Sequence, residues 1–538
     1  MTEITAAPDW EGIRARFRWQ LPVPYNLAED MVGRWARSDP GRLALLHLPA
    51  EGEPRDYSFL ELERAACRMA NVLEARGIYR GDRVAVLLSQ SPEVLLTHLA
   101  AYKIGAIVVP LFTLFGPEGL EFRLTDSDAQ LLVTDRASLP KIAEIRGRLP
   151  GLQHVLSADG AGDGAEALGP LLEAARDSFE TAATGPDDPA FISYTSGTTG
   201  PPKGALHAHR VLLGHMPAVQ LTHELFPQEG DAMWTPADWA WMGGLCNVAM
   251  PCLRFGVPLL SHRMERFDPE RAFWLLEAFQ IRNSFLPPTA LKLMRAAGKP
   301  AKSAPALRSV GSGGESLGAE LLDWGRETFG LTINEFYGQT ECNLVLGNCA
   351  SRLPVRPGSM GKPFPGSEVA ILGPEGEPLP PGEAGEIAVR RGDAAMFLRY
   401  WKAPRKTAEK FAGDWMLTGD EGVMDEDGYF HFASRSDDVI TSSGYRIGPT
   451  EIEHCLTGHP AVAMAAVVGV PDPVRTEIVK AFVTLAPGHA ASEALAEALR
   501  AHVKARLSPH LAPREVAFIE RMPTTATGKI RRRDLRGA

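Results

Sequence analysis

The chain contains 538 residues, of which 45% are hydrophobic and 23% are charged, and its formal net charge is −10 at pH 7. This length exceeds one ordinary hydrophobic core, so we expect two or more domains. The negative net charge argues against a nucleic-acid partner, because neutralising phosphates requires a basic face. The longest apolar runs are far shorter than the roughly 20 residues that span a bilayer, which argues against a membrane span.

The N-terminus and the cysteines favour a reducing compartment. Residues 1–10 include acidic side chains and no apolar core, unlike a signal peptide. The six cysteines include no Cys-x-x-Cys pair, so the sequence predicts neither a disulfide framework nor a structural zinc site. We therefore expect a cytoplasmic protein.

The first part of the chain predicts an α/β fold. Aromatic residues among prolines in residues 1–55 predict an arm that packs on a larger body. Helices are predicted over residues 58–77 and 92–104, and continuous apolar strands over residues 83–88, 106–110 and 131–134. Such alternation is typical of a parallel sheet covered by helices on both faces.

A segment rich in hydroxyls and glycine follows a short β-type run. Residues 194–204 read Tyr-Thr-Ser-Gly-Thr-Thr-Gly-Pro-Pro-Lys-Gly. Glycines let backbone N–H groups approach phosphate oxygens, hydroxyls add donors, and Lys203 adds a positive charge. The spacing differs from that of the usual P-loop. A flexible surface loop is the alternative, but the order of the residues favours a polyphosphate-binding loop.

Three later segments combine glycine with aromatic or acidic residues. Residues 233–244 place three tryptophans beside a Gly-Gly pair, which favours a pocket wall over ordinary core packing. Residues 308–317 predict a strand that enters a Gly-Ser-Gly-Gly turn. Residues 335–341 read Glu-Phe-Tyr-Gly-Gln-Thr-Glu, which offers an aromatic face for a flat base and a carboxylate for a hard cation. For this last segment, an amphipathic turn with one exposed acid is the alternative.

The C-terminal hundred residues predict a compact α+β unit. Strands are expected over residues 465–470 and 479–485, and a helix over residues 492–507. Upstream of this unit, residues 415–420 end in a Thr-Gly-Asp turn that supplies Asp420. The basic segment 523–533 contains a Gly-Lys pair at Lys529; by default, such a charge run is a solvated tail.

In this order, the segments resemble the signatures of the adenylate-forming superfamily, which includes acyl-CoA synthetases, adenylation domains of peptide synthetases, and luciferases. The resemblance extends from about residue 25 to the end, and it is to acyl-CoA synthetases of the medium-chain or acetyl-CoA synthetase-like type. It implies an α/β fold with a large N-terminal domain of parallel and mixed sheets covered by helices (1–436) and a small α+β C-terminal domain (437–538). The small domain is expected to rotate about a hinge at Asp437.

The resemblance also implies roles for individual residues. The implied catalytic residues are Lys203, Thr340, Glu341 and Lys529, with Glu341 as the Mg2+ ligand. By the resemblance, residues 308–317 are expected to contact the adenine, Tyr337 to stack on it, and Asp420 to accept both ribose hydroxyls. The implied ATP-binding residues are Thr195, Ser196, Gly197, Thr198, Thr199, Gly200, Lys203, Gly314, Glu315, Ser316, Glu335, Phe336, Tyr337, Gly338, Gln339, Thr340, Asp420, Arg435, Arg446 and Lys529.

The same resemblance predicts where CoA and the acyl group bind. The implied CoA-binding residues are Ser443, Gly444, Tyr445, Arg475 and Arg514, and the implied acyl-pocket residues are Trp241, Met242, Gly243, Gly313 and Gly338. Acetate-using members have a tryptophan at the position of Gly338 and larger residues at the other two glycine positions. We therefore expect a deeper cavity, and a medium-chain, branched or aryl acid rather than acetate. Cys342-Asn343 replaces the commoner Thr-Gly pair, a departure that affects the distal shape of the acyl pocket.

The implied reaction uses ATP, Mg2+ and CoA as a co-substrate. A carboxylate attacks the α-phosphorus of ATP to form an acyl-AMP and release pyrophosphate, and the CoA thiol then takes the acyl group. The alternatives are transfer to a carrier-protein thiol, a luciferase-like oxygenase, and a non-catalytic adenylate sensor. Retention of both lysines and both acids (Lys203, Glu341, Asp420 and Lys529) argues against a sensor.

Two expectations concern partners. Acetylation of Lys529 would remove the charge that the first half-reaction uses, so the resemblance suggests a lysine acetyltransferase and a deacetylase acting on it. The assembly state is left open, with a homodimer as one option.

Overall fold

The computed structural model describes residues 4, 9–50, 52–195, 202–300, 305–435, 438, 440–442, 445–472, 476–506, 511–525 and 529–536. The side chains of Arg435, Tyr445 and Arg446 lie outside this description. So do nine of the residues predicted to act in the site, namely Ser196, Gly197, Thr198, Thr199, Gly200, Asp437, Ser443, Gly444 and Arg475.

The described ranges alternate strands and helices along most of their length. In chain order, the strands are β1 (Leu43–Leu48), β2 (Arg55–Ser58), β3 (Arg83–Leu87), β4 (Ile107–Pro110), β5 (Leu131–Thr134), β6 (His154–Ser157), β7 (Glu166–Ala167), β8 (Pro189–Thr195), β9 (Lys203–Ala208), β10 (Met233–Trp234), β11 (Leu259–His262), β12 (Asn283–Phe285), β13 (Ser309–Gly313), β14 (Asn334–Gln339), β15 (Asn343–Gly347), β16 (Lys362–Pro363), β17 (Val369–Leu372), β18 (Ala384–Arg390), β19 (Arg399–Tyr400), β20 (Phe411–Ala412), β21 (Trp415–Met424), β22 (Phe430–Arg435), β23 (Ile440–Ser442), β24 (Tyr445–Ile447), β25 (Val462–Asp472), β26 (Thr476–Leu485) and β27 (Glu515–Phe518).

The helices separate and cover these strands. They are α1 (Trp10–Arg16), α2 (Arg34–Ser38), α3 (Phe59–Glu74), α4 (Pro92–Ile104), α5 (Pro117–Asp126), α6 (Leu139–Ile145), α7 (Leu168–Ala174), α8 (Val211–Thr222), α9 (Met242–Gly244), α10 (Met250–Phe255), α11 (Pro269–Ala278), α12 (Pro288–Ala297), α13 (Ala319–Phe329), α14 (Pro404–Glu409), α15 (Pro449–Thr457), α16 (Glu493–Arg506) and α17 (Arg532–Leu535). Glu29–Gly33 and Leu245–Ala249 are π-helical, and Arg146–Arg148 is a 3-10 turn. Within the described ranges, none of the helices combines the length and the apolar character needed to cross a lipid bilayer.

Two large mixed sheets form the body of the protein. In the described residues, one sheet has the order β19-β9-β8-β4-β3-β5-β6-β7, and the other has the order β16-β15-β14-β13-β12-β10-β11-β1-β2. The predicted strands β3, β4 and β5 are confirmed as parallel neighbours, and each is buried along nearly its whole length. The predicted helix α3 begins at the N-cap Ser58, whose side chain forms a capping box with Glu61.

A smaller sheet connects this body to the C-terminal unit. Its strands follow the order β17-β18-β21-β20, with β22 also paired to β21. The C-terminal unit has its own sheet of β24, β23, β26, β25 and β27, and its own hydrophobic clusters drawn from residues 440–535. The expected fold class is thus confirmed, with a separate α+β C-terminal domain. The boundary between residues 436 and 437 stays a prediction, because both residues lie outside the described ranges.

Helix α15 packs the C-terminal unit against the larger body. It contacts β22 of the smaller sheet, and a Cβ at Gly458 would lie 3.0 Å from Glu320 Oε1 on α13. His454 on α15 comes close to Ser316 and Lys292, and burial there lowers its pKa. This contact places the C-terminal unit beside the segment that carries the predicted adenine contacts.

Candidate active site

Thr195 and Lys203 lie opposite each other at the ends of β8 and β9. The strands are antiparallel, the two residues are paired across them, and Thr195 Oγ1 donates to Lys203 O (3.3 Å). The predicted polyphosphate loop connects these ends, and residues 196–201 of it lie outside the described ranges. The hairpin therefore holds both ends of the loop and places Lys203 at its exit.

Glu341 is buried at the tip of the β14–β15 hairpin, next to Thr340. Tyr400 Oη donates a hydrogen bond to Glu341 Oε1 (2.5 Å). Strand β19 pairs with β9, which brings the Tyr400 ring to 4.9 Å from Lys203 Nζ. Burial lowers the pKa of Lys203, and the charge of Glu341 acts against that shift. The Glu341 carboxylate, the Tyr400 phenol and the Lys203 ammonium group are therefore neighbours in the structure.

Sequence reasoning missed Tyr400. It stands in the segment Phe-Leu-Arg-Tyr-Trp (397–401), where nothing distinguishes it from an ordinary core aromatic residue. Contacts distant in the sequence place it there: β19 pairs with β9, and Phe397 N donates to Glu341 O (2.7 Å).

Asp420 accepts two hydrogen bonds on one buried carboxylate oxygen. Tyr337 Oη donates to Asp420 Oδ2 (2.7 Å), and Gln339 Nε2 donates to the same oxygen (2.8 Å). Gln339 Nε2 also donates to Thr418 O (2.8 Å), which Lys410 Nζ approaches to 3.1 Å. Burial first and the Asp420 charge second raise the pKa of Tyr337, so its phenol stays protonated as a donor. The predicted adenine and ribose contacts therefore lie next to each other.

Two predicted ATP-binding acids, Glu335 and Glu315, form hydrogen bonds within the protein next to the site. Burial raises the pKa of Glu335 to about 8, and Leu317 N donates to its Oε1 (3.1 Å). The Glu315 carboxylate instead accepts from Thr289 Oγ1 on α12 (3.3 Å). Both acids hold the 314–317 segment in place through β14 and α12.

Lys529 reaches this segment from the C-terminal tail. A Cβ at Gly314, where φ is +97°, would lie 3.8 Å from Lys529 Cε and 3.4 Å from the ring of Trp241. Lys529 N donates to Thr525 Oγ1 (3.1 Å), and Thr525 N donates to Lys529 O (2.7 Å). The tail residue that the resemblance marks as catalytic thus comes next to the predicted adenine segment and the aromatic wall.

A partly buried ion-pair network, which sequence reasoning missed, positions the lysine tail. Arg532 on α17 pairs with Glu453 on α15 (Nη2–Oε2, 2.7 Å) and with Asp438 (Nη1–Oδ2, 3.1 Å). Glu453 Oε1 also accepts from Val467 N (2.8 Å). The third residue after Lys529 is therefore tied to the same helix that packs on the larger body.

Three aromatic rings form a continuous row at the predicted acyl wall. The Trp241 and Phe285 centroids are 5.5 Å apart, and the Phe285 and Phe336 centroids are 5.4 Å apart. Met242, also predicted there, is buried and contacts Cys246 (Sδ to Sγ, 3.9 Å). Such rings supply rigid apolar area. Of the predicted ATP-binding residues, Phe336 belongs to this wall.

The expectation that three glycines open a deeper cavity is wrong in its physical basis. A Cβ at Gly243 would lie 2.7 Å from Phe285, and a Cβ at Gly313 would lie 2.4 Å from Phe336. A Cβ at Gly338 would lie 1.6 Å from the carbonyl oxygen of Asn343. Neighbouring rings and the β14–β15 hairpin already fill the space beside these glycines. Their small size therefore allows close packing and does not by itself create volume.

The remaining predicted residues are only partly described. Residue Arg435 is the Cα partner of Asp420 across β21 and β22, so its backbone lies at the nucleotide end. Tyr445 and Arg446 lie on β24 in the C-terminal unit. Arg514 is exposed, and its backbone bonds to Val479 O (2.8 Å). Roles for these residues stay predictions.

Two family models match most of the chain. Residues 32–401 match the family model described as AMP-binding enzyme, and residues 451–529 match the AMP-binding enzyme C-terminal domain. The chain belongs to the AMP-binding enzyme family, the adenylate-forming superfamily that its motifs resemble. It is an AMP-forming ligase of the acyl-CoA synthetase type.

Relatives and a solved structure cover almost the whole chain. The mitochondrial acyl-coenzyme A synthetase ACSM3 of Mus musculus is 35% identical over 99% of this chain and 94% of its own length. The acetyl-coenzyme A synthetase of Bacillus subtilis (strain 168) is 36% identical over 98% of this chain and 93% of its own length. The anthranilate CoA ligase AuaEII, solved with anthranoyl-AMP, superposes with a TM-score of 0.88 at 30% identity, covering 96% of this chain and 98% of that one.

Proposed function

We propose that this protein is an ATP-dependent acyl-CoA synthetase. It activates a carboxylic acid as an acyl-AMP, with release of pyrophosphate, and then transfers the acyl group to CoA. The proposal rests on the approach of Lys529 to Gly314 and Trp241. This approach brings a cation from the C-terminal unit between the predicted nucleotide contacts and the aromatic wall. The acid-binding and nucleotide-binding groups would then share one reaction centre.

In the first half-reaction, a carboxylate oxygen bonds to the α-phosphorus of ATP and pyrophosphate leaves. Negative charge spreads over the phosphate oxygens, so the site must supply cations and hydrogen-bond donors. We assign Lys529 to the attacking carboxylate and the α-phosphate, and Lys203 and Thr340 to the phosphates. No general base is needed, because a carboxylic acid is already ionised near neutral pH.

Glu341 fits the requirements of a Mg2+ ligand. Mg2+ usually binds one or two protein carboxylates together with substrate phosphates. Glu341 supplies one buried carboxylate, which accepts a hydrogen bond from Tyr400 Oη. It lies near Lys203, the cation that we assign to the phosphates. Bound there, Mg2+ would neutralise charge on the phosphates, while Tyr400 keeps the carboxylate oriented.

In the second half-reaction, the CoA thiol bonds to the acyl carbon and AMP leaves. We propose that the C-terminal unit rotates about Asp437 for this step, and that Tyr445, Arg475 and Arg514 contact CoA. A rigid guanidinium fork suits the phosphates of CoA. Transfer to a carrier-protein thiol is the alternative, and consumption of free CoA distinguishes the two acceptors.

The proposed acid is medium-chain, branched or aryl rather than acetate. The support for this class is the row formed by Trp241, Phe285 and Phe336, which offers apolar contact beyond what a two-carbon acid can fill.

Pyrophosphate release with ATP, Mg2+ and CoA tests the proposal across acids of graded size: acetate, butyrate, isobutyrate, hexanoate, octanoate and benzoate. We expect the highest kcat/KM with six or more carbons or with benzoate. Best activity with acetate would contradict the acid class. Pyrophosphate release without CoA consumption would indicate a carrier-protein acceptor, and no release with any acid would refute the ligase function.

Regulation of the same lysine is a further part of the proposal. Acetylation would neutralise Lys529 and block the first half-reaction. Intact-protein mass spectrometry before and after deacetylase treatment, with activity measured on both samples, tests this; equal adenylation by the acetylated form would refute it. A cytoplasmic location and a homodimer stay predictions.

A further inference from the structure

Lys410 is a half-buried cation at the nucleotide end, and it lies outside every motif that the sequence analysis singled out. It follows the end of α14 and directly precedes β20, which pairs with β21. Lys410 O accepts a hydrogen bond from Leu417 N (2.8 Å), one residue before the Thr418-Gly419-Asp420 turn. The β20–β21 hairpin therefore places the Lys410 side chain beside the strand that carries Asp420.

The ammonium group of Lys410 donates hydrogen bonds to two acceptors. One is Thr418 O (3.1 Å), and the other is Gln339 Oε1 (3.4 Å). Gln339 Nε2 in turn donates to Thr418 O (2.8 Å) and to Asp420 Oδ2 (2.8 Å). A chain of hydrogen bonds thus runs from Lys410 through the Gln339 amide to the carboxylate that is predicted to bind the ribose.

This chain favours one orientation of the Gln339 amide. An amide group has an acceptor oxygen and a donor nitrogen, whereas a carbonyl or carboxylate oxygen only accepts and an ammonium group only donates. In the observed orientation, the amide nitrogen faces Thr418 O and Asp420, and the amide oxygen faces Lys410. If the amide were turned over, each of these contacts would join two acceptors or two donors. Lys410 therefore helps to keep the Gln339 donor on Asp420.

The same side chains connect two sheets at the nucleotide end. Gln339 and Tyr337 lie on β14 of a large sheet, and Thr418 and Asp420 lie on β21 of the smaller sheet. Tyr337, which is predicted to stack on the adenine, donates to the same oxygen of Asp420 (2.7 Å). The position of the ribose contact relative to the adenine contact therefore depends on side-chain hydrogen bonds. Lys410 adds charge-assisted bonds, which are stronger than neutral ones.

We propose that Lys410 is a positioning residue for ATP, which orients Asp420 toward the ribose hydroxyls by holding the Gln339 amide. This inference deepens the proposed function and rests on it, and on the predicted contact of Asp420 with the ribose. Removing the ammonium group should therefore weaken recognition of the ribose hydroxyls, although every residue that is predicted to bind ATP is still present.

The alternative is that only the charge of Lys410 matters. Burial lowers the pKa of Lys203, and the charges of Lys410 and Lys406 add to that effect, so both lysines act on the predicted phosphate site. The Lys406 side chain is 59% exposed, and its Nζ pairs with Glu409 Oε2 (2.7 Å). Lys406→Met is therefore a matched control, because it removes a charge from the same segment and leaves the hydrogen-bond chain intact.

Kinetics of pyrophosphate release test the role of the ammonium group, with the acid that the wild type uses best. Lys410→Met keeps most of the length of the side chain and should lower kcat/KM for ATP about tenfold, mainly through KM. That loss is at the lower end for a hydrogen bond that involves a charged group. Lys410→Arg retains the charge and the donors and should recover most of the activity. Lys406→Met should stay within about twofold of the wild type. Melting curves establish that the variants are folded.

The preference for ATP over 2′-deoxy-ATP tests the route through Asp420, because a general loss of stability would affect both nucleotides alike. We expect the wild type to prefer ATP by about tenfold or more in kcat/KM, and Lys410→Met to prefer it by about threefold or less. A double-mutant cycle tests the route through Gln339. In a Gln339→Leu background, Lys410→Met should lower kcat/KM by less than about twofold, since its partner is already absent.

Each outcome bears on a different claim. Equal losses in Lys410→Met and Lys406→Met would assign the effect to charge alone and overturn the inference. The inference also fails if Lys410→Met matches the wild type, if no preference for ATP is lost, or if the loss is undiminished in the Gln339→Leu background. In these cases the acyl-CoA synthetase function stands. If the wild type releases no pyrophosphate with any acid, the proposed function fails and this inference with it.

Discussion

The two ends of the candidate active site differ in the kind of side chain that forms them. At the nucleotide end, Asp420 accepts from Tyr337 and Gln339, and Glu341 accepts from Tyr400. At the acyl end, the rings of Trp241, Phe285 and Phe336 form an apolar row. Pre-paired groups hold a geometry that needs no reorganisation when the nucleotide binds. The aromatic row instead offers rigid apolar area, which discriminates between acids by their size and shape.

The largest expected effect comes from removing the cation that joins these two ends. Lys529→Ala should lower the rate of acyl-AMP formation about 10²- to 10³-fold, the usual cost of losing one group aimed at developing charge. Conversion of supplied acyl-AMP and CoA to acyl-CoA should change little. Pyrophosphate release and thioester formation, measured separately, give the two rates.

Arg533→Ala is the matched control for Lys529→Ala. It removes one positive charge from the same tail at a side chain that is 76% exposed. It should leave both half-reactions within about twofold, as expected for a surface charge. Equal losses in the two variants would mean that the overall charge of the tail matters, rather than the position of Lys529.

Breaking one pre-formed pair tests the nucleotide end. Tyr400→Phe removes the donor to Glu341 and keeps the ring beside Lys203. A hydrogen bond to a charged group contributes roughly 1.5–3 kcal/mol, so we expect kcat/KM for ATP to fall by about 10- to 100-fold. The Mg2+ concentration needed for half-maximal rate should rise. Steady-state kinetics with varied ATP and Mg2+ measure both.

Tyr429→Phe provides the comparison for this change. Its hydroxyl donates to Pro354 O (2.7 Å), outside the acid–phenol–cation contact. Kinetics of Tyr429→Phe should match the wild type. An unchanged Mg2+ dependence in Tyr400→Phe would show that the phenol does not orient Glu341.

Gly338 lies where the two ends meet, and its replacement tests the close packing of the hairpin. Gly338→Ala would force a Cβ against the Asn343 carbonyl, so the strands must separate. Overpacking of this kind typically costs about 1–3 kcal/mol. A lower melting temperature is therefore expected, measured by calorimetry. Gly147→Ala, where a Cβ meets nothing within 4 Å, should melt close to the wild type; equal melting of both variants would contradict the filled space.

The fold class was predictable from the sequence, and the residues that meet at the nucleotide end were already candidates there, because contiguous motifs carry them. Asp420, Gln339 and Tyr337 occur in two short segments, which the fold brings together although β14 and β21 belong to different sheets. Tyr400 was not predictable, because an ordinary core tyrosine has the same local pattern.

The acyl end was less predictable for a different physical reason. The volume beside Gly243 or Gly313 depends on the rings that pack there, and those rings come from β12 and β14. Likewise, Trp241, Phe285 and Phe336 belong to separate segments of the chain, and only the fold brings their rings into one row. The residue types along the chain do not show how rings pack against each other or which polar atoms are hydrogen-bonded.

The smallest expected effect concerns the contact that brings Lys529 to the site. In this arrangement, burial lowers the pKa of His454, Lys292 acts in the same direction, and Glu453 and Glu320 act against it. If the C-terminal unit leaves this contact during the second half-reaction, the imidazole regains its ordinary pKa of about 6.5. Below that pH, the released state binds a proton that the packed state does not hold. The packed arrangement is therefore fully favoured above about pH 6.5 and weakens as the pH falls below it.

Below pH 6.5, the rate of acyl-AMP formation should therefore decline more steeply in the wild type than in His454→Gln. We expect the two rates to diverge by a few-fold, and by at most about tenfold per pH unit. Rates of pyrophosphate release between pH 5 and 8 measure the two profiles. His489→Gln, in an exposed loop of the same unit, should reproduce the wild-type profile. Superimposable profiles for wild type and His454→Gln would mean that this imidazole stays neutral in both states. The paired groups at the nucleotide end would then respond to pH independently of how the tail packs.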